Sequence, residues 1–185
     1  MEIAWQYLQI GFTHVIPLGF DHILFILSIF FLNSNIKSVI IQCSVFTLAH
    51  SVTLGLTAAG YIAPNAAIIE PLIALSILFT SIENIVHQKI NAWRVVIIFL
   101  FGLIHGMGFA SALKEIGLPQ AHFITGLLFF NLGVEAGQVT IILCAYFLIA
   151  TWFKDKSWYR SRMVYPISSG IACVALCWTI ERIMI

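Results

Sequence analysis

The chain has 185 residues, of which 61% are hydrophobic and only 9% are Asp, Glu, Lys or Arg, with a formal net charge of +1 and a mean hydropathy of +1.00. That composition excludes an ordinary soluble domain and makes membrane lipid the expected surrounding. A net charge this close to zero gives no footprint for a polyanion, so no nucleic-acid partner is expected.

A spanning helix needs roughly 20 mostly apolar residues, and the windows that qualify follow in chain order. An amphipathic opening, Met1 to Thr13, has no basic n-region and no small-residue cleavage site, so it does not read as a removable signal. The first window, Val15 to Leu32, opens with His14-Val-Ile-Pro-Leu-Gly-Phe-Asp21-His22. The 3.6-residue repeat places Asp21 and His22 about two turns into this helix, with His14 near its mouth. His14 and Asp21 would share a face if the helix were continuous; Pro17 suits a first turn and leaves open whether His14 belongs to the entry loop. An ionisable pair at this depth is costly and marks a functional site by default.

The second window, Ile36 to Ala59, carries Ser44, Thr47, His50 and Ser51 on one polar stripe. The third, Ala66 to Val86, has Glu70 near its start; Glu83, Asn84 and His87 near its end read either as an inner exit gate or, as their closeness to the interface favours, as snorkelling and capping groups. In the fourth, Trp93 to Leu113, Gly102 and Gly106 form a close-packing surface beside His105 that points this imidazole into the bundle. The fifth, Phe123 to Phe153, aligns Asn131, Glu135 and Gln138. The sixth runs from Val164 to Ile183, and Cys43, Cys144, Cys173 and Cys177 read as small packing residues. Asn33-Ser-Asn35, Gly60 to Asn65 and Gly117-Leu-Pro119 punctuate the windows. No loop is long enough to fold alone. The expected architecture is an all-α integral membrane protein, one polytopic domain over residues 1–185 with a bundle of about six transmembrane helices.

Of the nine Lys and Arg residues, six spans put Lys37, Lys89, Arg94, Lys154, Lys156, Arg160 and Arg162 on one side, against Lys114 and Arg182 on the other. Positive residues stay inside, which sets both termini on the periplasmic side of a bacterial inner membrane. The ionisable groups His14, Asp21, His22, His50, Glu70, His105 and Glu135 then all fall in the outer half or near the midplane.

Imidazoles and carboxylates converging in a low dielectric suggest a divalent metal ion, because ligation satisfies what would otherwise be unpaired polar groups. Neutral His with carboxylate suits nickel, zinc, copper(II) or iron better than a thiolate-loving metal. Asp21 either ligates or orients a neighbouring His. The plain alternative is that these residues only hydrogen-bond between helices.

The motifs Gly11-Phe-Thr-His14, Gly19-Phe-Asp21-His22-Ile-Leu-Phe, Phe46-Thr-Leu-Ala-His50-Ser, Glu70-Pro-Leu, Phe101-Gly-Leu-Ile-His105-Gly-Met-Gly and Asn131-Leu-Gly-Val-Glu135-Ala-Gly-Gln138, in this order, resemble the HupE/UreJ family of bacterial membrane proteins. The resemblance implies a polytopic inner-membrane protein of the kind found beside hydrogenase and urease genes, whose members are regarded as nickel permeases or metal-handling accessories. In the nickel-permease branch the Pro of the first motif follows its His directly; here Pro17 comes three residues after His14. Two function classes and a third remain. A nickel-type permease would use His14, Asp21 and His22 for outer capture, with His50, His105 and Glu135 as a mid-membrane relay. A membrane-embedded zinc-type hydrolase would hold its metal on three His, with Asp21 or Glu70 activating water. A metal-binding structural or assembly subunit is the third, and a homo-oligomer is left open.

Overall fold

The structure, a computed structural model, describes residues 2–87, 93–116 and 122–184, with the side chains of residues 110–116 left aside. It is built from α1 (Glu2–Val15), α2 (Phe20–Leu32), α3 (Ile36–Ala58), α4 (Ala66–Val86), α5 (Trp93–Ile116), α6 (Phe123–Phe153) and α7 (Arg160–Met184). α6 widens into a π-helical turn at Tyr146–Ala150, and α7 begins with another at Arg160–Val164. Local chemistry sets the starts: the Asn35 side chain accepts from the Ser38 N–H at 3.3 Å and Asn65 from Ala67 at 3.0 Å, each satisfying an orphan donor of a helix first turn. Between α3 and α4, Gly60 takes a left-handed φ of 84°, which only glycine adopts without strain. Gly117-Leu-Pro119 and Lys89 lie outside the described residues.

The first window is not one helix. α1 and α2 meet at a 67° bend, so the amphipathic opening is itself a helix, packed along α6. Asp21 and His22 consequently sit in the first turn of α2 rather than two turns deep. Pro17, lacking an N–H, stops the ladder of α1. Gly19 lets the chain fold back, because a Cβ there would stand 2.2 Å from the His14 carbonyl oxygen.

α3, α4, α6 and α7 are long and apolar enough to cross a bilayer, and the α1–α2 pair adds a fifth crossing if taken as one bent span. α5 is apolar over Trp93–Phe109, the part whose side chains are described; among the described residues there are thus four or five full-length apolar spans, and the expected six is reached only if α5 is counted with them. Exposed Leu48, Val52 and Leu56 on α3 and Ile68, Leu72, Leu75, Phe79 and Ile82 on α4 recur every three or four residues. Those are the lipid-facing stripes of a multi-pass membrane protein. Cys43 is buried as expected; Cys144, Cys173 and Cys177 are exposed and do not pack inside.

Three tight pairings organise the bundle: α3 with α5, α1 with α6, and α4 with α7. α2 fills the space between them, and its Phe25, Ile26, Ile29, Phe30 and Phe31 are all at most 2% exposed. α3 and α5 touch through the expected glycines, since a Cβ on Gly106 would lie 2.2 Å from the His50 carbonyl oxygen. One buried charge departs from the sequence reading. Arg94 is 1% exposed, pairs with Glu83 of α4 and donates from Nε to Gln42 Oε1 of α3 at 2.9 Å. Glu83 therefore does not snorkel, and Asn84 beside it is fully buried.

Gly106→Ala forces α3 and α5 apart at the level of His50, an overpacking that costs about 1–3 kcal/mol. Thermal unfolding in detergent should show a lowered midpoint for this variant; an unchanged midpoint would mean that the close approach is not needed.

Candidate metal-binding site

Two interhelical contacts carry the polar stripes predicted for α3 and α6. Ser44 donates to Glu135 Oε1 at 2.6 Å and Thr47 to Gln138 Oε1 at 3.1 Å, while Asn131 stands against His50. This zipper fixes the rotation of α3 and turns His50 inward, where it is 0% exposed. The bend between α1 and α2 supplies the other half. His14, in the last turn of α1, and His22, in the first turn of α2, lie with ring centroids 4.6 Å apart. His50 closes a triangle, 6.2 Å from His14 and 5.8 Å from His22.

One ligand nitrogen from each of His14, His22 and His50 falls within 4.8 Å of the others. A small side-chain movement brings three nitrogens at this spacing onto a single ion, each about 2.1 Å away. His105 adjoins them, its ring 5.4 Å from that of His22, but its Nε2 is engaged with Ser76 Oγ at 2.9 Å. Five imidazole nitrogens, His14 Nε2, His22 Nε2, both of His50 and His105 Nδ1, are buried with no hydrogen-bond partner among the described residues. Phe109 packs on His14 with centroids 3.7 Å apart, and Phe46 lies 4.9 Å from His105. Such apolar walls keep water from competing for the nitrogens.

A cavity of about 830 Å³ leads to the imidazoles from the end of the bundle where α4 starts and α7 finishes, with His14, His22 and His105 on its wall and Asp21, Glu70 and Arg182 towards its mouth.

The carboxylates do not join the triangle. Asp21, expected as a ligand, is held through both oxygens by Arg182 Nη2 at 3.1 Å. Arg182 also donates to the Glu70 carbonyl at 3.2 Å and lies over the Trp178 ring. Glu135 is occupied by Ser44. Of the seven sequence candidates, the structure thus unites His14, His22 and His50, places His105 alongside, sets Asp21 and Glu70 on the approach and leaves Glu135 in the α3–α6 zipper. Arg182 is the residue the sequence reading missed, since there it counts only as one of the two basic residues on the outer side.

The family model of the HupE/UreJ proteins matches residues 1–182. The chain belongs to the HupE/UreJ family. No curated protein and no solved structure matches it. In this HupE/UreJ chain, the motifs quoted from sequence are the segments that build the imidazole triangle and its walls.

Imidazole ligates only when neutral, so protons and metal compete for the same lone pairs. Purified protein is expected to hold one divalent ion per chain near neutral pH and to release it as pH falls. His22→Ala and His50→Ala should lose it, whereas Glu135→Gln should keep it; elemental analysis of the three variants decides, and loss in Glu135→Gln alone would overturn the assignment.

Proposed function

We propose that the chain is a nickel-type divalent-metal permease of the bacterial inner membrane, with the cavity opening to the periplasm. The observation that carries this reading is the convergence of buried, unpartnered imidazole nitrogens at the floor of a cavity open at one end of a membrane bundle. Polar groups inside a bilayer are retained where they serve an ion path. Borderline divalent ions match imidazole nitrogen, while calcium and magnesium match oxygen, so the donor set selects the nickel, zinc and copper class.

In the permease, the mouth carboxylates Asp21 and Glu70 attract the hydrated cation, and the Arg182 guanidinium occupies Asp21 until the cation displaces it. His14, His22 and His50 then replace its water shell. Phe25 and Phe46, whose rings are 4.9 Å apart, stand beyond His22 and His105 as the barrier the ion must pass. The charge segregation of the loops supports the outward opening, because the basic segment Lys154 to Arg162 lies at the opposite end of the bundle from the cavity.

A hydrolase reading has one observation in its favour, a three-histidine set reached from one end. No carboxylate stands within the imidazole triangle, however, so Asp21 or Glu70 would have to act on a metal-bound water from the mouth of the cavity.

Cells lacking other uptake routes should accumulate less nickel when His22→Ala or His50→Ala replaces the natural residue, with expression unchanged. Equal accumulation in the variants and the unaltered protein would overturn the permease reading.

A further inference from the structure

Past the imidazoles, towards the opposite end of the bundle, a line of neutral polar groups continues between α2, α4 and α7. His105 Nε2 meets Ser76 Oγ at 2.9 Å. One turn on, Thr80 donates to the Ser76 carbonyl at 3.0 Å, and its hydroxyl meets Ser28 Oγ of α2 at 2.7 Å. Another turn on, Asn84 Nδ2 donates to the Ser28 carbonyl at 2.8 Å and to Ser168 Oγ of α7 at 3.1 Å. Arg160, at the far end, takes the Asn84 carbonyl at 2.7 Å. Ser28, Ser76, Thr80, Asn84 and Ser168 are each at most 1% exposed. From Ser76 to Asn84 the rise along α4 is about 12 Å, a large part of a bilayer half.

The hydroxyls of Ser28, Ser76 and Thr80 each also bond a carbonyl of their own helix, Ser28 that of Phe25 at 2.7 Å, Ser76 that of Ile73 at 2.7 Å and Thr80 that of Ile77 at 3.0 Å, as serine and threonine commonly do in membrane helices, so the contacts across three helices are additional to what their own helices supply. Here they align with the histidine cluster, and Asn84 Oδ1 is left buried without a partner among the described residues. The line contains no carboxylate. Glu83, the nearby acid, is closed on Arg94, and His87 is exposed at the end of α4.

We propose that the oxygens of Ser76, Thr80, Ser28 and Asn84 form the inner leg of the cation path, the weak-binding exit from the imidazole site. This rests on the permease reading and adds to it the groups that let the ion go. A proton wire is the wrong reading of the same line, because two of its steps run through main-chain carbonyls, which have no proton to donate. Carbonyl and hydroxyl oxygens do serve a moving cation, replacing water one ligand at a time. A borderline divalent ion prefers nitrogen to neutral oxygen. It is therefore held at the imidazoles and only passed along the oxygens, as conduction requires of a site that must also release.

The test compares Thr80→Val, which keeps shape and removes the hydroxyl, with Thr80→Ser, which keeps the hydroxyl. Nickel flux into proteoliposomes and nickel bound per chain in detergent are both measured. Thr80→Val is expected to lower flux about tenfold, the effect of raising one step by the free energy of a single lost polar contact, with nickel binding unchanged, while Thr80→Ser stays close to the unaltered protein. Flux through Thr80→Val at the unaltered rate would overturn the exit path. So would an equal loss in Thr80→Ser, or loss of nickel binding together with flux, since either marks a packing role. Absence of flux in the unaltered protein, with nickel still bound, would overturn the exit path and the permease reading together, whereas flux in the unaltered protein that survives Thr80→Val spares the permease reading.

Discussion

Inside a bilayer a buried polar atom has no water to turn to, and leaving one unpaired costs roughly 1–3 kcal/mol. The charged side chains of the bundle find partners, Arg94 in Glu83 and Gln42, Glu135 in Ser44 and Asp21 in Arg182, and the other unmet buried polar atoms among the described residues are scattered singly along it. The histidine cluster is where several unmet atoms gather in one place. Helix packing alone would have favoured apolar residues at His14, His22 and His50, so their retention points to something that supplies the missing partner.

Much of the architecture follows from making that gathering possible. The Gly102 and Gly106 surface draws α5 onto α3 tightly enough to put His105 beside the cluster, with the Gly106 backbone against the His50 carbonyl. The α3–α6 zipper sets the rotation of His50. The break between α1 and α2 brings His14 and His22 together from two helix ends, a closer meeting than two residues eight apart on one straight helix achieve. Each device acts on a different helix, and the three converge on a volume small enough for one ion.

How much of this was legible in the sequence depended on whether the signal was periodic. The polar stripe Ser44, Thr47 and His50 and its counterpart Asn131, Glu135 and Gln138 were readable because a 3.6-residue repeat survives in any helix, and the two stripes meet from the exposed Ser44–Glu135 contact to the buried Thr47–Gln138 one. α3 and α4 begin at Ile36 and Ala66, the first residues of their apolar windows, directly after the punctuating Asn35 and Asn65. The bend was less legible: Pro17 and Gly19 announced a disturbance, yet an 18-residue apolar window reads the same whether it is straight or folded. The pairing of Asp21 with Arg182 was not legible, because the two lie at opposite ends of the chain and no local pattern ties them. Arg94 counted as a loop charge because it opens its helix, where only tertiary packing decides between a solvated and a buried guanidinium. The hydroxyl line passed unnoticed for a chemical reason, since Ser and Thr barely alter the hydropathy of a membrane helix.

The two halves of the bundle therefore differ in the kind of donor they offer. The half with the cavity carries imidazole nitrogens and flanking carboxylates; the line in the opposite half is made of hydroxyls and carbonyls, and the acid beside it, Glu83, is closed on Arg94. A site made only of strong ligands would hold a divalent ion and keep it, and one made only of neutral oxygens would not compete with water for it. On the proposed permease reading, placing the first where the cavity opens and the second beyond Phe25 and Phe46 would give the ion a steep gain on entry and a shallow hold on departure. Because the nitrogens must be neutral to ligate, the strength of that first hold falls with added protons, so an acidic face would weaken capture before it affected the oxygen line. Direction in such a bundle would then be set by the metal and proton concentrations at its two faces rather than by any single residue.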